Sequence, residues 1–392
     1  MRLLLCIPYF APAYAFGGSV TVAETIVEGF VAAGHEVAVA TTDVLDERAR
    51  VAPGTPGIAG AEVVRFPNVS HRAAAAANVY LPRGYQRWLR ANVARFDVVL
   101  LHDVYSAVSV GGARAAERAG VPYALQPLGT LSPAAERGRP LAKRVVLKLW
   151  ADRTIARAAA LVHSGDAERA EFLDAGAPAG RLLQLPLPLD LPRAEPSVLA
   201  TAPTVAFVGR LHAIKRVDAL IEAVAIARRD MPQLRLEVVG PGERLQRELE
   251  ALAERLGIAA AVDFRGFVSA EEKLRILRTA HVGALLSAGE GLPMAALETM
   301  ACGTPMVLST GCHMPDADDR AGIVCDGSPA QAAAAIMRVT RDPALRERLG
   351  AGAAAFAQDY RREVVMPRMI AAFEDLVARQ DPQTSARRAT AK

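Results

Sequence analysis

Two glutamates and two cations carry the chemistry open to this chain. Glu290 and Glu298 stand eight positions apart in EGLPMAALETMACGTP, residues 290–305. Carboxylates placed this way can accept hydrogen bonds from vicinal hydroxyls, and sugar hydroxyls or a ribose are the obvious partners. Arg210 and Lys215 stand in VGRLHAIKR, residues 208–216. One offers a planar fork of donors and the other a point charge, a combination suited to a diphosphate. For any one of these residues taken alone, a solvated surface ion is the plainer alternative. The elements that carry them decide between the two.

The apolar run His281–Leu286 reads as a strand buried on both faces, because parallel strands covered by helices lose polar alternation. Ser287–Gly291 reads as a turn. Pro293 is predicted as the first helical residue, where its missing N–H costs nothing. The helix runs through Met300 to about Cys302, and Gly303 is a left-handed stop. Glu290 is thereby set at a strand's C-terminal end beside a helix N-terminus, where the N–H groups of Met294, Ala295 and Ala296 are expected to face an anion. Glu298 falls inside the helix. Thr204–Val208 is a predicted strand and Val217–Arg229 a predicted helix, so Arg210 and Lys215 occupy a strand–helix junction on the same edge. Ligands of open α/β sheets bind beyond that edge.

The pattern E-G-L-P-x-x-x-L-E-x-M-A-x-G-x-P resembles the E-x7-E motif of the family 4 glycosyltransferases, retaining enzymes of the GT-B fold that use nucleotide-sugar donors. The G-R-L-x-x-x-K spacing over Gly209–Lys215 fits the same family. The resemblance implies an α/β chain with two Rossmann-like parallel-sheet domains facing an interdomain cleft, and a C-terminal helix crossing back to the first domain. It assigns Glu290, with the backbone of Gly291, Leu292 and Pro293, to the donor sugar, and Glu298 to the nucleotide ribose. Arg210 and Lys215 neutralise the departing diphosphate. Gly266 and Phe267, in RGFV after a predicted strand Ala261–Arg265, lie where the family's backbone faces the nucleobase, with no base specified. The loop Thr310–Asp319 resembles a C-N-L-P-E segment from which His313 and Asp316 depart.

Length and composition agree with two domains. At 392 residues the chain is long for a single core, and 52% of it is hydrophobic. No run of about 20 apolar residues suggests a membrane span. The net charge of +4 suits an anionic ligand or a membrane surface, and no nucleic-acid partner is expected. Cys6, Cys302, Cys312 and Cys325 form no C-x-x-C and no zinc-like cluster, which points to a reducing cytoplasm. The histidines other than His102 share no spacing, so no metal site is expected. Residues 1–190 are assigned to an acceptor-side domain and 191–360 to a nucleotide-sugar domain. Residues 361–380 are assigned to the returning helix and 381–392 to a disordered tail. The boundary follows Leu185–Pro196, whose prolines at 186, 188, 192 and 196 resist helix and sheet interior.

The first half alternates strand and helix from Arg2–Pro8 to Arg181–Leu185. Its opening residues also copy a signal peptide loosely, but Pro8 breaks the short apolar core and a glycine turn and helix follow. Gly17 and Gly18 precede a helix predicted from Thr21. A tight turn explains them as well as a phosphate cradle does, and the family resemblance implies the second. His102 ends the predicted strand Phe96–Leu101, where the family places a histidine near the donor sugar, although its usual form is H-x-H. Gln126–Pro133 (QPLGTLSP) resembles the proline–glycine segment of polysaccharide-assembly members. Gly129 and Thr130 are thereby placed on the acceptor side, with a buried turn hydroxyl as the alternative for Thr130. Residues 137–157 place Leu141, Val145, Leu149 and Trp150 on one helical stripe ringed by Lys143, Arg144, Lys148, Arg153 and Arg157. That reads as a solvated basic face or as a peripheral contact with the inner face of the cell membrane.

The implied catalytic set is Arg210, Lys215, Glu290 and His102. The reaction implied is transfer of a hexosyl unit, with retention, from a nucleoside-diphosphate sugar to a glycan or lipid-linked acceptor. No cofactor or metal is expected, since the two cations offset the charge growing on the leaving phosphate. Two rivals share the features: a nucleotide-sugar epimerase on the same fold, and a non-catalytic sugar-nucleotide-binding protein.

Overall fold

The computed structural model describes residues 1–46, 48–70, 80–131, 151–195 and 198–380. Two compact units divide these residues: 1–190 with the segment from Arg362 onward, and Leu191–Arg361.

In the first unit, β1 (Arg2–Cys6), β2 (Glu36–Thr42), β3 (Ala61–Phe66), β4 (Val98–His102), β5 (Tyr123–Gln126), β6 (Ala160–His163) and β7 (Leu182–Gln184) form one sheet in the order β3-β2-β1-β4-β5-β6-β7. Every pairing is parallel. Parallel strands need crossovers, and α1 (Gly18–Ala32), α2 (Tyr85–Asn92), α3 (Ala107–Ala119) and α4 (Asp166–Asp174) are among those that supply them. The opening residues Leu3, Leu4 and Leu5 are buried in the middle of this sheet.

In the second unit, β8 (Thr204–Val208), α5 (Val217–Ala227), β9 (Arg235–Val239), α6 (Glu243–Arg255), β10 (Val262–Gly266), α7 (Ala270–Thr279), β11 (Val282–Leu285), α8 (Met294–Ala301), β12 (Met306–Ser309), β13 (Gly322–Cys325), α9 (Pro329–Arg341) and α10 (Pro343–Gln358) alternate regularly. The strands run in the order β10-β9-β8-β11-β12-β13, again all parallel. Both sheets have their order reversal beside the first strand of the unit, the topology that opens a crevice at the strands' C-terminal ends.

The last helix, α11 (Arg362–Gln380), belongs to the first unit. It docks on α1 because Gly29 carries no side chain: a Cβ there would stand 2.5 Å from Met366 Cε. Phe373 packs edge-on against Phe30 at 5.7 Å. Arg361 bonds the carbonyls of Leu191 and Pro192 inside the second unit, whereas Arg362 reaches Asp190 and Glu28 inside the first.

Three expectations about local structure need correction. The first helix starts at Gly18, with Gly17 as its cap, and not at Thr21. The sequence over Tyr80–Arg95 predicts one helix, but only residues 85–92 are α-helical, followed by a 3-10 turn at Val93–Arg95. Gly84 is left-handed at φ +81°, and the Asn68 side chain takes the N–H of Leu81, so the chain before Tyr85 cannot coil. Strand β13 was not expected, because Gly-Ile-Val-Cys between a turn and an Asp-Gly pair is too short for a pattern. The division between the units falls at Asp190–Leu191 within the proline-rich stretch, where Leu185, Leu187, Leu189 and Leu191 alternate with prolines and Asp190 and are all buried.

Candidate functional site

The loops leaving the second sheet are joined to one another through the main chain. Gly240 N–H donates to Gly266 O at 2.8 Å, Leu211 N–H to Pro241 O at 2.8 Å, Ala288 N–H to Ile214 O at 2.7 Å and Glu290 N–H to Gly311 O at 3.0 Å. Neighbouring loops are therefore stitched in strand order from β10 to β12. Two glycines make the approach possible. A Cβ on Gly240, whose φ is +139°, would lie 1.9 Å from Gly209 O. One on Gly311 would lie 2.3 Å from Ser287 O. Arg210, Lys215, Gly266, Phe267 and Glu290 all sit on this rim.

Lys215 closes a 3-10 turn, Ala213–Lys215, that His212 caps by accepting from Ile214 N–H. Its Nζ donates to Glu290 Oε1 at 2.6 Å. The Ser287 hydroxyl donates to the same oxygen at 2.5 Å. The pair is largely withdrawn from water, with the lysine side chain 20% and the glutamate 12% exposed. His313 Nδ1 bonds Glu290 O at 2.8 Å, which requires the ring to carry its proton on Nδ1. Ser309 and Cys312 hold the strand end beneath through Ser287 O and Leu285 O. An ammonium has three N–H groups, so Lys215 keeps two for an incoming anion while bound to Glu290. Arg210 is exposed, and its guanidinium meets no partner among the described residues.

Glu298 lies on α8, where Lys273 of α7 reaches its Oε2 at 2.8 Å. Gly291 is exposed, Leu292 half-buried and Pro293 buried. Pro293 is the cap of α8 and not its first residue. Of the three N–H groups expected to face an anion, two are already used. Met294 donates to Leu292 O and Ala296 to Pro293 O, because the entry is a tight turn that bonds itself. Phe267 projects from the β10–α7 loop with 87% of its surface exposed, next to Gly266 at φ +61°.

In the first unit, Gly17 adopts φ +89°, ψ −155°, a conformation open to glycine, and donates to Tyr14 O. Gly18 is an ordinary helical residue. His102 ends β4 in register with Gln126 of β5 and is fully buried, its Nε2 3.0 Å from Gln126 Oε1. Burial pushes the imidazole down to about 4, with the Gln126 bond opposing this in part. It is neutral near pH 7, and no surface of it meets solvent in this conformation. Gly129 is left-handed and donates to Glu168 Oε1 at 2.8 Å. Glu168 is buried in the first turn of α4 and also accepts from Ser164 N–H and Oγ at 2.8 and 2.7 Å. The Thr130 hydroxyl donates to Pro127 O and accepts from Val104 N–H, as the turn-hydroxyl alternative expects.

Sequence reasoning missed Ser287, Lys273 and Glu168, and marked His313 only as a departure from the family segment. Each acts through a partner distant in sequence or through a turn that carries no motif of its own. Of residues 137–157 only 151–157 are described. They are helical, and Arg153 pairs with Glu117 at 2.9 Å. The stretch Asn68–Asn78, whose alanine run fits an acceptor-side loop or a helix, lies outside the described residues beyond Ser70, as do residues 381–392. The four cysteines are buried and unpaired, and burial raises the thiols of Cys6 to about 12 and of Cys302 and Cys312 to about 11. Among the described residues no group of His, Cys, Asp and Glu could hold a metal ion. No described helix is long and apolar enough to cross a membrane.

Two family models match in tandem: a glycosyl transferase 4-like domain over residues 17–188 and glycosyl transferases group 1 over residues 202–342. The chain belongs to the family 4 glycosyltransferases. Similar curated proteins include the D-inositol 3-phosphate glycosyltransferases of Streptomyces bingchenggensis, 30% identical over 299 residues, and Kineococcus radiotolerans, 31% identical over 312 residues. Each match takes in 72% of this chain and, respectively, 62% and 66% of the relative, so this chain spans about three fifths to two thirds of those proteins. Among solved structures, Anabaena HepE in complex with UDP and glucose superposes over 96% of this chain and 100% of its own, with a TM-score of 0.72 at 19% identity. Sucrose-phosphate synthase from Thermosynechococcus elongatus gives 0.74 over 96% and 99%, also at 19% identity. These likenesses establish the fold as GT-B.

Proposed function

We propose that this family 4 member transfers a hexosyl unit, with retention, from a nucleoside-diphosphate sugar to a glycan or lipid-linked acceptor. The observation that carries the proposal is the meeting of Lys215 with Glu290 on one rim, with Arg210 exposed on the loop that leads to Lys215. Arg210 and the two remaining donors of Lys215 bind the diphosphate and offset the negative charge that grows on it as the sugar leaves. Glu290 and the backbone of Gly291, Leu292 and Pro293 hold the sugar, and Glu298 accepts from the ribose. Attack comes from the face that the diphosphate leaves, and the leaving phosphate takes the acceptor's proton. The residues present supply the cations that a metal would otherwise bring, so the reaction proceeds without one.

The neighbour crystallised with UDP and glucose, and another structure of the same Anabaena protein with UDP-glucose, support a nucleotide-sugar donor. The relatives' name adds a phosphorylated cyclic polyol to the acceptors worth testing. The deciding experiment incubates the chain with UDP-, GDP- and ADP-sugars, with and without glycan, lipid-linked and inositol-phosphate acceptors, and assigns the anomer formed by NMR. Acceptor-dependent release of nucleoside diphosphate with a retained anomer supports the proposal. Conversion of the donor without any acceptor supports an epimerase. Binding with no turnover supports a binding protein.

A further inference from the structure

Lys273 has no part in the motifs that identify the family, yet it is committed to one of their residues. It lies in the first turn of α7, 25 residues before Glu298, and donates to Glu298 Oε2 at 2.8 Å. The neighbouring charges are engaged elsewhere. Glu272 is held by Arg275 through both carboxylate oxygens at 2.7 and 2.6 Å, and Arg278 pairs with Glu195 at 2.8 Å. The two partners are 28% and 26% exposed, and a pair this open adds little to the stability of a fold. Its value lies in geometry. The ammonium fixes one carboxylate oxygen, while Oε1 has no donor among the described residues and keeps its lone pairs for a ligand.

We propose that Lys273 is a positioning residue that holds Glu298 so that its second oxygen accepts from the ribose 2′-hydroxyl of the donor nucleotide. This rests on the donor site described above and adds to it a residue and a selectivity. A carboxylate locked in place discriminates ribose from 2′-deoxyribose, because the deoxy nucleotide leaves a polar group unpaired.

The test is calorimetric titration of the wild-type chain with UDP, GDP and ADP, followed by the best of the three and its 2′-deoxy counterpart against Lys273→Met, Lys273→Arg and Glu298→Gln. Lys273→Met is expected to weaken the ribonucleotide about tenfold, the size of one lost hydrogen bond to a charged group, and to leave the deoxynucleotide unchanged. Lys273→Arg is expected to recover most of the loss. In turnover assays Lys273→Met is expected to raise KM for the donor and leave kcat within about twofold. Equal losses for both nucleotides, or no loss for either while the melting temperature is unchanged, overturn the assignment of Lys273 and leave the donor site standing. If the wild-type chain binds none of the three nucleotides, the donor reading itself fails and the assignment falls with it.

Discussion

Lys215 and Glu290 stand 75 positions apart in the chain and 2.6 Å apart in space. One closes a 3-10 turn after β8 and the other lies in the loop after β11, and those two strands are hydrogen-bonded neighbours in the sheet. The cation proposed to bind the diphosphate is thus already paired with the carboxylate proposed for the donor sugar. Donor binding must draw on the lysine's remaining donors or displace the glutamate.

Lys215→Ala is therefore expected to lower transfer by about 10²–10³-fold, the usual cost of removing one preorganised donor to developing charge. Circular dichroism should show a folded protein with a lower melting temperature, because the Glu290 carboxylate keeps only the Ser287 bond. Turnover within a few-fold of wild type would remove Lys215 from the mechanism.

Arg210→Ala separates activity from stability more sharply. The side chain is exposed and unpaired among the described residues, so unfolding free energy should change by no more than about 0.5 kcal/mol. Transfer should fall by orders of magnitude, and Arg210→Lys should restore a part of it, since a point charge replaces a fork. A stable, fully active alanine variant would contradict the assignment.

Gly240→Ala tests the stitched loops. The new Cβ would collide with Gly209 O and would have to tolerate φ +139°. A loss of roughly 2–3 kcal/mol is expected, as for other strained positions, together with weaker nucleotide binding because Arg210 rides on the displaced loop. Denaturant titration and calorimetry measure the two effects.

Acid should destabilise the first unit through His102. Its folded value of about 4 lies below the ordinary value of 6.5, so between those limits the unfolded chain binds more protons. The neutral ring's contribution is complete above pH 6.5 and is lost as pH falls toward 4. The sum is up to about 3 kcal/mol. His102→Asn should flatten the stability profile over that window. Some slope will persist, because burial also lowers His163 and His281.

Chelation by EDTA should leave the transfer rate unchanged, measured as nucleoside diphosphate released. Strict dependence on Mg²⁺ would show that Arg210 and Lys215 do not suffice for the leaving group.

Much of this was legible from one dimension because strands in parallel sheets are short apolar runs and helices end on glycine. The E-x7-E segment announced both its strand and its helix. What escaped depends on where separate segments meet. Nothing local marks Lys273 as the partner of Glu298, since that distance is set by the placement of α7 and α8, whereas Ser287 donates to Glu290 within one turn that carries no motif of its own. His102 shows the opposite failure. Its place at a strand tip was correctly read, but the closed packing over the β4–β5 edge buries the ring, and burial cannot be read from position along one strand. The short β13 was lost because four residues hold no period.

The main-chain bonds that join the rim loops also govern how the site can vary. Peptide groups belong to every residue except proline, which lacks the N–H, so replacing side chains along this edge, at positions other than Gly240 and Gly311, leaves the frame intact. If the donor lies on this rim as proposed, a new preference for a base or a sugar can then be reached by exchanging what projects from Phe267, Leu292 or His313, one position at a time, without first rebuilding the loops that present them. Proline at 211, 288 or 290 is the change that such a scaffold would not absorb.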